Sequence, residues 1–291
     1  MLNLEKTIVM PSSIRMMPTT INFLLKEVNQ VNLTNYSSIL FDFKETSFFS
    51  AEMTTFLAII IRKLQHKKIS VLVKSISDPI KKILAKNGFL NHFGIAPLEQ
   101  DIYGTTIPFV EFKSSSTKQI SKYLSQRVFK KMDEKITPTQ NDTIKLAIFE
   151  ICYNIYEHSQ AEKFFMCGQV FPNKNHLAFS IADNGITIPT NIKDHLSLGF
   201  TNDAEYIDWA TKEGNSTKNS SASGLGLFDI KDSMSKIGKF VILSNTGLNI
   251  YDLDNNRTYY KLEESFPGTM LYLNYDLNKQ IRPKTVNEFI F

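Results

Sequence analysis

Glu150, Asn154 and His158 recur at four-residue intervals, and Ile151, Cys152, Tyr153 and Ile155 lie between them. Residues four apart share one face of an α-helix. The segment therefore predicts an amphipathic helix with an unusual stripe of one carboxylate, one amide and one imidazole. Leu146 and Ala147 extend the helix upstream. Buried polar groups require partners. The stripe faces either solvent, the plainer arrangement for a surface helix, or a ligand in a wet cavity. The segments downstream decide between the two.

Leu177-Ala178-Phe179-Ser180-Ile181-Ala182-Asp183 reads as a strand ending on a carboxylate, and Asn184-Gly185-Ile186-Thr187-Ile188-Pro189 turns directly after it. A carboxylate at a strand end can accept a hydrogen bond from an exocyclic amine. Further on, Ser221-Ala222-Ser223-Gly224-Leu225-Gly226-Leu227 leads into a helical stretch from Phe228 to Met234. A glycine-rich turn at a helix start lets backbone N–H groups approach an anion, aided by the helix dipole. Phe266-Pro267-Gly268-Thr269 precedes another strand, Met270 to Leu273. Taken singly, the Asp and Gly segments are more often ordinary turns. The chain has no Gly-x-x-x-x-Gly-Lys-Ser/Thr run, which excludes a P-loop as phosphate holder.

In this order, over residues 142–275, the segments resemble the GHKL ATPase superfamily, whose members include gyrase, MutL, sensor histidine kinases and anti-sigma-factor serine kinases. Glu150 and Asn154 match its Glu-x-x-x-Asn helix, and His158-Ser159 matches an extension found in the serine-kinase branch. Asp183-Asn184-Gly185 matches the Asp-x-Gly adenine motif, Ser223-Gly224-Leu225-Gly226-Leu227 the phosphate-binding Gly-Leu-Gly-Leu motif, and Gly268-Thr269 the Gly-Thr before the closing strand.

The resemblance implies ATP and Mg²⁺ as ligands and a Bergerat-fold α/β two-layer sandwich over residues 119–291. It implies that Asn154 gives its side-chain oxygen to the metal and that Glu150 orients or deprotonates the attacking water or hydroxyl. Asp183 would read the adenine amino group, Thr269 would help hold the base, and His158 would continue the nucleotide-facing stripe. Gly185 would let the nucleotide lie close to the backbone. Gly224, Leu225, Gly226 and Leu227 would wrap the phosphates. The stretch from Asn191 to Ser221 would form a mobile lid, from which Lys212 or Lys218 would reach the terminal phosphate or remain solvated. Three positions depart from the family pattern. Thr187 replaces a second glycine after Asp183, Ala222 replaces a glycine of the phosphate loop, and Glu157 stands where histidine kinases often carry a lysine. They place nucleotide binding ahead of turnover.

The N-terminal third alternates strands and helices. Ile39 to Phe43 reads as a strand, Ala51 to Leu64 as a helix and Ile69 to Val73 as another strand. Asp78-Pro79 opens a further helix and Asn87-Gly88 closes it. This α/β order resembles a STAS-like domain, the module of anti-sigma-factor antagonists. Asp42 and Phe48-Phe49 fit that frame, and Ser50-Ala51-Glu52-Met53 stands where Asp-Ser-Ser-Gly would open the helix. Ala51 occupies the position of the family's phosphorylated serine. The expected organisation is a STAS-like domain over 1–100, a linker over 101–118 marked by Gly104, Pro108 and Ser114-Ser115-Ser116, and the ATP-binding domain from 119. A helix is expected from Ile120 to Ile136, with Ile120, Tyr123, Leu124, Val128 and Met132 on its apolar face, and the key helix from Asp142 or Thr143.

A chain of 291 residues, 42% hydrophobic and 21% charged, suits a globular protein with a sizeable core. A net charge of +4 without a dense basic block gives no indication of nucleic-acid binding. Cys152 and Cys167 match no zinc spacing, and Cys152 reads as a buried thiol. The N-terminus lacks the regions of a signal peptide, and the longest apolar run, Phe56 to Ile61, is too short to span a bilayer. A soluble cytoplasmic protein without membrane attachment is the expectation. The leading function is an ATP- and Mg²⁺-dependent regulatory switch with slow hydrolysis, a protein partner docking on the STAS-like domain, and a homodimer compatible with both. The alternatives are a serine/threonine kinase acting on a STAS partner and a non-hydrolysing nucleotide-binding scaffold. A sensor histidine kinase is disfavoured, because the helix from Ile120 holds no His and His66 and His92 read as surface residues.

Overall fold

The computed structural model describes residues 4–30, 36–133, 138–217, 226–253 and 256–279. The first third contains β1 (Glu5–Val9), β2 (Ser13–Ile14), α1 (Pro18–Asn29), β3 (Ser38–Asp42), β4 (Phe48–Phe49), α2 (Met53–His66), β5 (Ser70–Lys74), α3 (Asp78–Lys86) and α4 (Phe89–His92). β1, β3 and β5 form a parallel sheet in that order, and β2 pairs with β4 in a short parallel ladder. The first element read from the sequence in this unit is the strand at Ile39, and the fold places β1, β2 and α1 before it.

The remainder contains β6 (Thr106–Lys113), α5 (Thr117–Tyr123), α6 (Lys130–Asp133), α7 (Pro138–His158), β7 (Lys163–Phe171), β8 (His176–Asp183), α8 (Ile188–His195), α9 (Asp203–Ala210), α10 (Gly226–Ile237), β9 (Gly238–Tyr251) and β10 (Arg257–Asp276). Five of its strands make an antiparallel sheet in the order β6-β7-β8-β10-β9.

Two local expectations are corrected here. Residues 101–118 are not a plain linker. They hold β6, which pairs with β7 as the edge of the large sheet, and the buried Ile107 and Phe109 explain why it folds in. The helix after Ser116 is interrupted by a π-helical stretch, Leu124–Phe129, and α7 starts at Pro138 rather than at Asp142.

The run from Phe56 to Ile61 determines the architecture. A helix apolar all the way round has to be buried all the way round. In α2 every residue from Met53 to Ile61 is buried. The helix contacts β5 of the parallel sheet and also β7, β8 and β10 of the antiparallel sheet, while α1 packs on β10. One continuous core joins Phe41, Phe56, Ile60 and Leu64 to Phe165, Ala182, Phe266, Met270 and Tyr272. Phe56 stacks on Phe266 with ring centroids 5.2 Å apart. The opposite face of the antiparallel sheet carries a second core, in which Ile148, Ile151 and Ile155 of α7 and Ile230 and Met234 of α10 meet Phe179, Ile181 and Leu271. The expected two-layer sandwich is therefore covered on both faces, and the N-terminal unit forms one of the covers.

Polar groups pin that cover in place. The Thr55 hydroxyl donates to the Ser180 hydroxyl at 3.1 Å, and the Asn87 amide donates to Thr54 Oγ1 at 3.3 Å and to Cys167 Sγ at 3.6 Å. At the sheet edge, Glu111 of β6 accepts from Arg62 Nε at 2.9 Å, contacts His92 Nε2 at 2.7 Å and takes Lys163 Nζ at 2.7 Å. Burial alone would raise the Glu111 carboxyl, but hydrogen bonds from His92, Arg62 and Lys163 outweigh it and hold it at about 2. His92 is thus part of a charged cluster and not a plain surface histidine. Among the described residues, no helix is long and apolar enough to cross a membrane.

Candidate functional site

The alternation of β8 sends Phe179, Ile181 and Asp183 to the face covered by α7, and Ser180 and Ala182 to the face covered by α2. Asp183 therefore ends β8 beneath the C-terminal half of α7. Its backbone pairs with Phe164 of β7 on one side and Thr269 of β10 on the other. Both glycines near it are there for close approach. A Cβ at Gly185 would lie 2.0 Å from the Ser159 carbonyl oxygen, and one at Gly268, where φ is +143°, would lie 1.9 Å from the Asp183 carbonyl oxygen. The role expected of Gly185 changes accordingly: it brings the β8 turn against the end of α7, where Ile186 N donates to Ser159 O at 2.6 Å.

These contacts enclose a cavity of about 140 Å³. Asn154 and His158 of α7, Asp183 of β8 and Thr269 of β10 all line it, together with Leu227 at the start of α10. Ile155, Ile186, Ile192 and Leu271 supply apolar walls. Asp183 is buried to 1% exposure, and its Oδ1 accepts from Gly185 N at 2.8 Å. Burial pushes the carboxyl up to about 7, against the Gly185 N–H and the nearby Ser159 hydroxyl, which favour the charged form. The Thr269 hydroxyl is held 2.8 Å from Ser244 Oγ, which also accepts from Ile188 N at 2.9 Å. Asn191 Nδ2 ties α8 to α7 through His158 O at 3.1 Å.

Other expected site residues lie elsewhere. Glu150 sits one turn before Asn154 but on the exposed part of α7, outside the cavity wall. Burial and then the charge of Asp229 on α10 raise its carboxyl. Lys212 does not line the cavity and pairs with Asp208 at 3.3 Å. Gly226 begins α10, while Lys218, Gly224 and Leu225 fall outside the described residues. Much of the expected lid is helical, in α8 and α9. Thr187 fits without strain: with φ −76° it caps α8, accepting from Thr190 N at 3.3 Å. Cys152 is half-buried, and burial pushes its thiol up to about 12, which makes it an inert neighbour.

Sequence reasoning missed Trp209, Asn191 and Ser244. Trp209 lines the cavity from the end of α9, and its carbonyl accepts from Asn215 Nδ2 at 2.8 Å. It is the chain's single tryptophan, which was a signal in itself. Ser244 carried no signal, because only the register of β9 against β10 brings it to Thr269.

A comparison with protein-family models gives no match, and a comparison with curated proteins gives none either.

Proposed function

We propose that the cavity binds ATP with Mg²⁺ and that the chain is a nucleotide-dependent regulatory switch with slow hydrolysis. The observation that carries this reading is the convergence of Asn154, His158, Asp183 and Thr269 on one cavity, from segments more than a hundred residues apart at the extremes. The residues fit the adenine end of a nucleotide. Asp183 offers a buried carboxyl oxygen to an exocyclic amine, Thr269 offers a hydroxyl beside it, and the isoleucine and leucine walls accept a planar ring. Bound nucleotide would supply the phosphoryl chemistry, and its oxygens most of the metal's octahedron.

The chain's own part is then distributed as follows. Asn154 would contribute one oxygen to the metal. Asp183 and Thr269 would fix the base, and the apolar walls would exclude water from it. Glu150, whose carboxyl is raised by burial and by the charge of Asp229, would take a proton from water at the outer end of the α7 stripe. The N-terminal unit, packed on the other face of β8 and β10, lies where a change at Asp183 or Thr269 would be felt by a docked protein partner.

Calorimetric titration of the full chain with ATP, with and without Mg²⁺, tests this. Wild type should bind, and Asn154→Ala should lose the Mg²⁺-dependent part of the affinity while keeping the rest. Equal heats with and without metal in both proteins would remove Asn154 from the metal site, and no binding at millimolar ATP would remove the reading altogether.

A further inference from the structure

Four large side chains of α7 lie on the side of the helix turned away from the sheet. Leu146, Phe149, Tyr153 and Tyr156 are 65%, 45%, 57% and 55% exposed. Among the described residues, no other helix carries more than one large hydrophobic side chain so exposed. Their spacing of three, four and three residues is that of the seam between two coiled helices. Ile148, Ile151 and Ile155 bury the opposite side of the helix against the sheet, so the stripe faces outward. The three rings and the leucine leave roughly 400 Å² of apolar surface uncovered. Aromatic residues in that number suit an interface core better than a solvated helix face, and a contiguous patch of that size is a mark of a binding surface.

The charged residues of α7 flank this stripe with opposite sign. Glu150 follows Phe149 and Glu157 follows Tyr156 on one flank, and Lys145 precedes Leu146 on the other. Asp142, one heptad before Phe149, is exposed and ends the stripe, and His158 turns to the cavity. The neighbouring helices continue the division. Asp229 of α10 lies close enough to Glu150 to raise its carboxyl. On the same helix Asp232 pairs with Lys236 at 2.7 Å, and Lys231 lies near Asp208. On the other flank, Lys145 Nζ stands 5.6 Å from the ring centroid of Phe129, beside which Arg127 and Lys130 are exposed. A two-fold axis parallel to α7 lays the basic flank of one copy on the acidic flank of the other. Lys145 then meets Glu150 across the seam twice, against one opposition of Asp142 with itself at the open end. An antiparallel pair would instead set the Glu150 and Glu157 flanks of the two copies against each other.

We propose that a second copy of this chain docks on the α7 stripe through Leu146, Phe149, Tyr153 and Tyr156, with the two α7 helices parallel. A second copy is the occupant because the stripe matches itself in spacing and its flanks match each other in charge. Roughly 400 Å² per copy is about half of the ~800 Å² that each partner gives to a standard interface, so the pair forms and separates with concentration. Asn154 and His158 lie on the same helix, on the side that lines the cavity, so the pair sets two cavities beside one seam. No cavity-lining residue takes part in the seam, and the seam is therefore independent of what the cavity binds.

Sedimentation equilibrium of the full chain from about 1 to 100 μM tests this. Wild type should pass from monomer to dimer over that range. Tyr153→Glu should weaken the dimer by at least about tenfold, with unchanged circular dichroism and melting, because Tyr153 is exposed. Lys145→Glu should weaken it less, and Lys145→Glu combined with Glu150→Lys should restore it. Phe149→Cys, made together with Cys152→Ser, should link to itself under mild oxidation, since equivalent seam positions face each other in a parallel pair. Asp183→Asn should dimerise as wild type does, so failure of the nucleotide reading and failure of this one are separable. A chain that stays monomeric throughout, which would leave the stripe to a different partner, would overturn the proposal. So would a dimer that Tyr153→Glu leaves intact, no rescue by the double charge swap, or a Phe149→Cys chain that does not link to itself.

Discussion

The two faces of the antiparallel sheet are built from the same strands and end differently. The face under α2 is filled. Phe56, Ile60 and Leu64 meet Phe165, Phe266 and Met270, and hydroxyls and an amide pair off within the interface. The face under α7 is filled only in part. Ile148, Ile151 and Ile155 pack as the other face does, but the last turns of the helix bring Asn154 and His158 toward Asp183 and Thr269 and leave a cavity. Packing is complete where the chain needs stability, and incomplete where polar groups from distant segments converge. A buried carboxyl facing a cavity costs folding energy, and that cost points to a ligand.

The largest expected effect lies on the filled face. Phe56→Ala removes a stacked ring from the middle of the structure and should cost about 3–5 kcal/mol in urea unfolding. A loss below 1 kcal/mol would mean that α2 is not the central layer. On the open face, Asp183→Asn should act through pH. The folded-state pKa of about 7 lies above the ordinary 3.8, so the folded protein holds the proton more tightly than the unfolded chain does. The Asp183 contribution therefore favours folding at low pH and is lost as pH rises from about 4 to 7. The slope approaches 1.4 kcal/mol per pH unit within that window. Melting curves at pH 5 and pH 8 should show this difference in wild type and a smaller one in Asp183→Asn. An unchanged difference would show that Asp183 is not the titrating group.

How far the two faces were legible in the sequence differs in the same sense. The strand and turn ending at Asp183-Asn184-Gly185, the four-residue spacing of α7 and the position of Thr269 were readable, because period and turn chemistry are local. The cover on the opposite face was not readable as such. Its signal was the run from Phe56 to Ile61, which has no polar side, but a single unmarked run does not say what will lie against each side of it. β6 was hidden by Gly104, Pro108 and the serines around it, and only its pairing with β7 makes it a strand. Ser244 and Trp209 reach the site through register and helix docking, which no local pattern encodes.

Smaller effects sharpen the comparison. Thr269→Val removes the hydroxyl bonded to Ser244 and should cost roughly 1 kcal/mol of stability, together with part of the ATP affinity, by calorimetry. Stability lost with affinity unchanged would place Thr269 in the framework only. Thr187→Gly should cost only a few tenths of a kcal/mol, since glycine is tolerated at an N-cap, whereas Thr187→Ala should cost roughly 1 kcal/mol. The reverse order in thermal melts would show that Thr187 does not act as the cap.

The central claim is that Asp183 and its neighbours form a nucleotide site, and the single tryptophan in the cavity wall gives the most direct test of it. Trp209 fluorescence should change saturably when ATP and Mg²⁺ are added to the wild-type chain, and Asp183→Asn should need at least about tenfold more ATP, a loss of roughly 1.4 kcal/mol. A flat wild-type signal with no binding by calorimetry, or the same saturation curve in Asp183→Asn, would contradict the account.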